Sequence, residues 1–219
     1  MQKQLRVSFL ALAIATSAYA ATVASRDFWH ELQLGNERFA AGVIKYEHLN
    51  DERIRDIEHQ YPPVTVLSCA DSRVPAELVF AHSIGELFVV RVAGNVTDDF
   101  PLASIEYAVM PPREWTKLLV VMGHQNCGAV DAAIKTAAPG NDPLGKLIAR
   151  IKSNILGERD LTAATKLNAQ KSAKYLMDNS TIIHTAVCSG KLQIKPAYYD
   201  MQSGRVTALA PLPPAVPCR

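Results

Sequence analysis

Three short, largely apolar runs constrain the fold of this chain more than any other feature. Val64-Thr65-Val66-Leu67, Leu87–Val92 and Lys117–Met122 are rich in β-branched residues and continuous rather than alternating, the pattern of strands covered on both faces. Helix-prone stretches lie between and after them: Ser104–Met110, the alanine-rich Cys127–Ala138, Leu144–Ile155 and Thr162–Asn179. Strands alternating with helices need crossover connections, so the expected fold is α/β, a central and mostly parallel β-sheet flanked by helices. Upstream, Phe28, Trp29, Leu32, Leu34, Phe39 and Ala40 recur at helical spacing from Arg26 to Ala41, with Gly42 as the stop. Downstream, Lys191–Tyr199 predicts a last strand, with Gly204–Leu209 returning beside it across a Ser203-Gly204 turn. No internal repeat and no Gly/Ser linker divides the 219 residues, which suit one core.

The first twenty residues read as an address rather than as structure. Lys3 and Arg6 precede the apolar run Val7–Ala15, and Ala18-Tyr19-Ala20 supplies the small-x-small pattern that signal peptidase reads. A signal peptide over residues 1–20, cleaved near Ala20/Ala21, predicts a periplasmic or secreted protein. Its single domain spans residues 21–219 and ends in the Pro-rich tail Ala210–Pro217. The apolar run is too short for a bilayer anchor, so no membrane association of the mature form is expected. Cleavage removes two basic residues and turns a balance of 23 basic to 21 acidic into 21 against 21. A chain without net charge has no overall attraction for nucleic acid.

An exported chain meets an oxidising compartment, so two disulfides among Cys69, Cys127, Cys188 and Cys218 are one reading. The neighbourhoods of the cysteines divide them into two pairs. Ser68-Cys69-Ala70-Asp71-Ser72-Arg73 follows directly on a predicted buried strand, at the carboxyl end where α/β sheets build their sites. The arginine keeps the aspartate ionised and aims it through a bidentate contact. Gly123-His124-Gln125-Asn126-Cys127-Gly128 also follows a predicted strand and opens a predicted helix. Singly, each residue has a plainer reading: a buried small hydrophobe, a satisfied histidine, or a Cys69–Cys127 disulfide. Together, two thiolates and one imidazole suit tetrahedral Zn²⁺, and three protein ligands leave a fourth position open, as at a catalytic zinc.

Cys69-x-Asp71-x-Arg73 followed by His124-x-x-Cys127 resembles the signature of the β-class carbonic anhydrases. The likeness extends to Leu34–Phe39, Gly85–Asn95, Ser104–Val109 and Ala197–Asp200, and covers roughly Phe28 to Val206. It implies the β-carbonic anhydrase fold, with one Zn²⁺ per chain on Cys69, His124 and Cys127. Asp71 and Arg73 would form the catalytic dyad in which arginine draws the carboxylate off the metal. Gln60, Phe88, Tyr107 and Gly128 match substrate-binding positions, Tyr107 reaching the site across a dimer interface. The implied activity is reversible hydration of carbon dioxide to bicarbonate and a proton by a zinc-bound hydroxide, in a homodimer or homotetramer. Val66 stands where some bacterial members carry the tryptophan of an inhibitory bicarbonate site, so no such site and an open zinc are expected here.

Other readings stay open at this point. Carbonyl sulfide and carbon disulfide are isosteric with carbon dioxide, and a zinc or redox protein without turnover would use the same cysteines. A nucleotide-binding protein is disfavoured, since no Gly-rich strand-to-helix loop is present. His82 is either a proton relay or an ordinary surface or interface histidine; His30, His48 and His184 carry no functional mark. Cys188 and Cys218 either remain free or pair and pin the Pro-rich tail.

Overall fold

The computed structural model describes residues 26–44, Leu49, Asp51 and residues 59–218. The signal-peptide segment and His48 lie outside the described residues. The elements are α1 (Phe28–Ala40), β1 (Val64–Ser68), α2 (Ala76–Val79), β2 (Leu87–Arg91), α3 (Asp99–Val109) and β3 (Leu118–His124). They continue with α4 (Gly128–Lys135), α5 (Pro143–Ile155), α6 (Leu161–Asn179), α7 (Thr181–Cys188), β4 (Gln193–Asp200) and β5 (Arg205–Ala208). The sheet order is β2-β1-β3-β4-β5. Its first four strands are parallel, and β5 pairs antiparallel with β4.

Every residue of β1 and β3 is buried, which explains why those runs read as continuous apolar stretches rather than alternating ones. Helices cover both faces. Val66, Val120 and Met122 pack with α1 residues Trp29 and Leu32 on one side. Leu67, Leu119 and Val121 pack with α3, α6 and α7 on the other. Among the described residues, no helix is long and apolar enough to cross a membrane.

Three details depart from the sequence expectation. The third strand runs on through Gly123 to His124, so this histidine is the last residue of β3 instead of following it. The third helix starts at Asp99, with Pro101 in its first turn where a missing N–H costs nothing. Helix α7 is a separate element, because Ser180 adopts an extended conformation after α6 and its hydroxyl accepts the Ile183 N–H to cap a new start.

Helix α1 is locked to the sheet by Asn36. Its Nδ2 donates to Val79 O (2.9 Å) and Gly204 O (2.8 Å), and its Oδ1 accepts the Val206 N–H (2.8 Å). Next to it, a Cβ on Gly35 would stand 1.8 Å from the Phe80 carbonyl oxygen, so only glycine permits this approach of helix to loop. The motif Leu34–Phe39 is therefore a docking device for α1.

Candidate active site

The parallel strands β1 and β3 are in register, Ser68 facing Met122, so the residues leaving their carboxyl ends meet. Cys69, His124 and Cys127 are all buried, and one donor atom of each lies within 4.8 Å of the others. Cys69 and Cys127 are free thiols, which removes the Cys69–Cys127 disulfide reading.

Two of the donors are aimed by bonds to the backbone. His124 Nδ1 donates to Gln125 O at 2.9 Å, which fixes the tautomer and leaves Nε2 buried without a partner. Cys69 Sγ accepts the Gly94 N–H at 3.2 Å. Cys127 is the N-cap residue of α4, where the peptide N–H groups of Val130 and Ala129 in the first helical turn favour an anion. The two thiols share one proton. A hydrogen bond from Cys127 outweighs burial and, with the nearby His124 ring and the backbone N–H groups of Gly94 and Asp71 also favouring the thiolate, brings Cys69 down to about 4. Donating that bond, together with burial, pushes Cys127 up.

Asp71 is clamped beside this cluster. Arg73 Nε and Nη2 reach its two carboxylate oxygens at 2.9 and 2.8 Å, and the Arg73 backbone N–H adds a third bond at 3.0 Å. These bonds hold the carboxyl well below the usual carboxylate range, so Asp71 is an acceptor only. Its Oδ2 stands 3.9 Å from His124 Nε2. Arg73 also contacts Asn126 O at 3.4 Å, tying the two motifs together. A cleft of about 490 Å³ opens beside Arg73, walled by Gln125, Asn126, Tyr199, Met201 and Gln202.

The donor set tests well against a metal. A buried imidazole nitrogen without a partner and two buried thiols, one already favouring the thiolate, match zinc's preference for nitrogen and sulfur. The carboxylate that would be a fourth protein ligand is held by Arg73 instead, which is the arrangement of an open site.

The other sequence-predicted residues divide. Gly128 begins α4 directly after Cys127, and a Cβ placed there would meet only open space. Gln60, Phe88 and Tyr107 are not brought to the donors of the same chain. Phe88 pairs with Thr65, three residues before Ser68, about 10 Å back along the strand. Tyr107 stacks on Phe88 with ring centroids 6.4 Å apart, and Arg113 caps Tyr107 at 3.9 Å. Gln60 is exposed and leads into β1 at the same amino end. His82 also lies there, its Nδ1 bonded to Phe80 O at 2.7 Å and its ring lining a small cavity with Pro63 and Val64. Like Phe88, it stands at the amino end of the sheet, away from its own chain's donors.

Two contributors had no chemical signature in the sequence. Arg91, at the end of β2, donates to Cys69 O at 3.1 Å and Asp71 O at 2.6 Å, and so braces the ligand loop. Gly94 adopts φ +67°, which turns its N–H onto Cys69 Sγ. A glycine between two strand-end motifs was the available signal.

Comparison with known proteins follows the same lines. Residues 64–206 match the family model described as carbonic anhydrase. Carbonic anhydrase 2 of Mycobacterium tuberculosis is 36% identical over 186 residues, covering 81% of this chain and 89% of that protein. The solved β-carbonic anhydrase CcaA superposes with a TM-score of 0.65 at 25% identity, over 84% of this chain and 96% of its own. A tetrameric β-carbonic anhydrase of Sordaria macrospora shares the fold with a TM-score of 0.65 at 22% identity, over 89% of this chain and 98% of its own.

Proposed function

The chain belongs to the β-class carbonic anhydrases, and we propose that it hydrates carbon dioxide reversibly with a zinc ion held by Cys69, His124 and Cys127. The observation that carries this reading is the Asp71–Arg73 clamp beside three buried, convergent donors. Bound there, zinc supplies Lewis acidity that brings the pKa of water from about 15.7 to about 7.

The residues around that position do the rest. Asp71 Oδ2 accepts a hydrogen bond from the reacting water and thereby orients a lone pair toward carbon dioxide. It can hold that role because Arg73 occupies both oxygens and keeps the carboxylate charged. The backbone at Gly128 lies against open space beside Cys127, where a linear substrate fits. Bicarbonate leaves through the cleft beside Arg73. A stopped-flow hydration assay on protein of known zinc content tests the reading; zinc bound at one per chain with background hydration would refute it.

A second copy of the chain would complete the pocket. Phe100 is 84% and Tyr107 42% exposed on one helix, α3, and the aromatic cluster of Phe88, Tyr107 and Trp115 continues from it. A homodimer or homotetramer would cover this face and carry Gln60, Phe88 and Tyr107 to the partner's donors. Support comes from the tetrameric relative of Sordaria macrospora. Phe100→Asp is expected to shift the sedimentation coefficient toward monomer, with activity falling in parallel by about tenfold or more. An unchanged sedimentation profile would remove α3 from the interface.

We also propose export to the periplasm or beyond. The Cys188–Cys218 disulfide suits an oxidising compartment. Intact-mass analysis of the osmotic-shock fraction is expected to give a chain starting at Ala21; the full-length mass in that fraction would oppose cleavage.

A further inference from the structure

The tail after β5 is a strap tied at both ends. At its start, the Leu209 N–H donates to Pro196 O (2.8 Å) and Gln170 Nε2 to Ala210 O (2.7 Å). At its far end, the Ala215 N–H donates to Asp178 Oδ1 (2.7 Å), His184 Nε2 donates to Val216 O (2.9 Å), and Cys218 is bonded to Cys188. Between them runs Pro211-Leu212-Pro213-Pro214, three of whose residues have no N–H to offer. This span walls a cavity of about 1140 Å³ lined by Phe28, Leu118, Met177, Leu192 and Ile194. One wall of this partly open cavity, whose rim also carries Asp27, Lys117 and Lys191, thus depends on the anchors at residues 215–218.

The sulfur anchor has a histidine built against it. His184 and Cys188 stand one turn apart on α7, and Cys188 Sγ is 3.7 Å from His184 Nδ1 and 3.8 Å from Nε2. Because Nε2–H is spent on Val216 O, Nδ1 is the nitrogen left to exchange a proton with sulfur. Cys218 is exposed, whereas Cys188 and His184 are half-buried. An external thiolate therefore meets Cys218 first, and Cys188 is the sulfur that leaves.

We propose that His184, Cys188 and Cys218 form a thiol–disulfide exchange site that latches and releases the tail, with a dithiol as reaction partner. The partner's thiolate attacks Cys218 Sγ, and the S–S electron pair departs with Cys188 as a thiolate paired with protonated His184. The partner's second thiolate then attacks its own sulfur in the mixed disulfide and expels Cys218. The dithiol supplies two electrons and two protons, Cys188 and Cys218 end as thiols, and the partner leaves as its disulfide. The oxidised partner closes the latch by the reverse steps. Release takes Val216 from His184 and frees the proline wall, which widens the opening of the cavity.

The test uses the mature, zinc-loaded protein and site-resolved mass spectrometry. In Cys218→Ser, iodoacetamide is expected to alkylate Cys188 at pH 7 about tenfold faster than in the same chain unfolded in urea. Adding His184→Gln, which keeps a donor for Val216, is expected to remove that advantage at unchanged Tm. Dithiothreitol should reduce the disulfide about tenfold more slowly in His184→Gln alone. Cys218→Ser should also raise 8-anilinonaphthalene sulfonate fluorescence severalfold. Alkylation of Cys188 no faster than in the unfolded chain, or equal rates with and without His184, would overturn the exchange site. Unchanged probe fluorescence would overturn the opening of the cavity. None of these readouts depends on hydration activity, so they stand apart from the carbonic anhydrase reading.

Discussion

Replacing Cys127 with serine is expected to lower carbon dioxide hydration about a thousandfold or more and to reduce bound zinc well below one per chain. Cys127 is wholly buried at the start of α4. The Val130 and Ala129 N–H groups of the first helical turn favour an anion there. Serine matches the volume, but its hydroxyl keeps its proton near neutrality and is a poorer ligand for a borderline-soft ion. With two donors left, the affinity that depends on three is lost, and with it most of the rate enhancement. Zinc by atomic absorption, hydration by stopped flow and helicity by circular dichroism check the outcome together. A folded variant that keeps zinc and activity would contradict the ligand assignment.

Arg73→Ala is expected to leave zinc in place but cut hydration about a hundredfold, the size of effect seen for residues that orient a reacting group. Arg73 is exposed and touches none of the three donors, so metal binding does not depend on it. What it holds is Asp71, through both oxygens. Once freed, a carboxylate already 3.9 Å from His124 Nε2 can turn onto the donor cluster and close the fourth position. Arg73→Lys should recover only part of the loss, since an ammonium keeps the charge without the planar two-point contact. The two variants separate binding from turnover: Cys127→Ser loses zinc and activity, Arg73→Ala activity alone. Activity within threefold of the native protein in Arg73→Ala would show that the clamp is not needed.

Much of this was legible along the chain, for identifiable reasons. The strands could be read because Val64–Ser68 and Leu118–His124 are buried on both faces, so their runs are mostly apolar and do not alternate with solvent-facing residues. The donors could be read because each motif leaves the carboxyl end of such a strand, and parallel pairing puts those ends side by side. Helix α7 was missed because its eight residues, Thr181–Cys188, are mostly β-branched and too few to show a helical period. His184 and Cys188 are four residues apart, but their pairing went unread because helix α7, which puts them on one face, was not expected.

Local periodicity and residues within single motifs were enough to read the alternation of strands and helices, the three zinc-type donors and the carboxylate–guanidinium pair. Other features emerged in three dimensions: that the Gly94 N–H, 25 residues on, meets Cys69, that Gln60, Phe88 and Tyr107 lie at the far end of the sheet from their own chain's donors, and that Cys188 and Cys218 are bonded beside His184. The physical reason is common to all of them. A motif states which atoms are available, but distances between segments far apart in sequence are set by strand register and by the path of the chain between them.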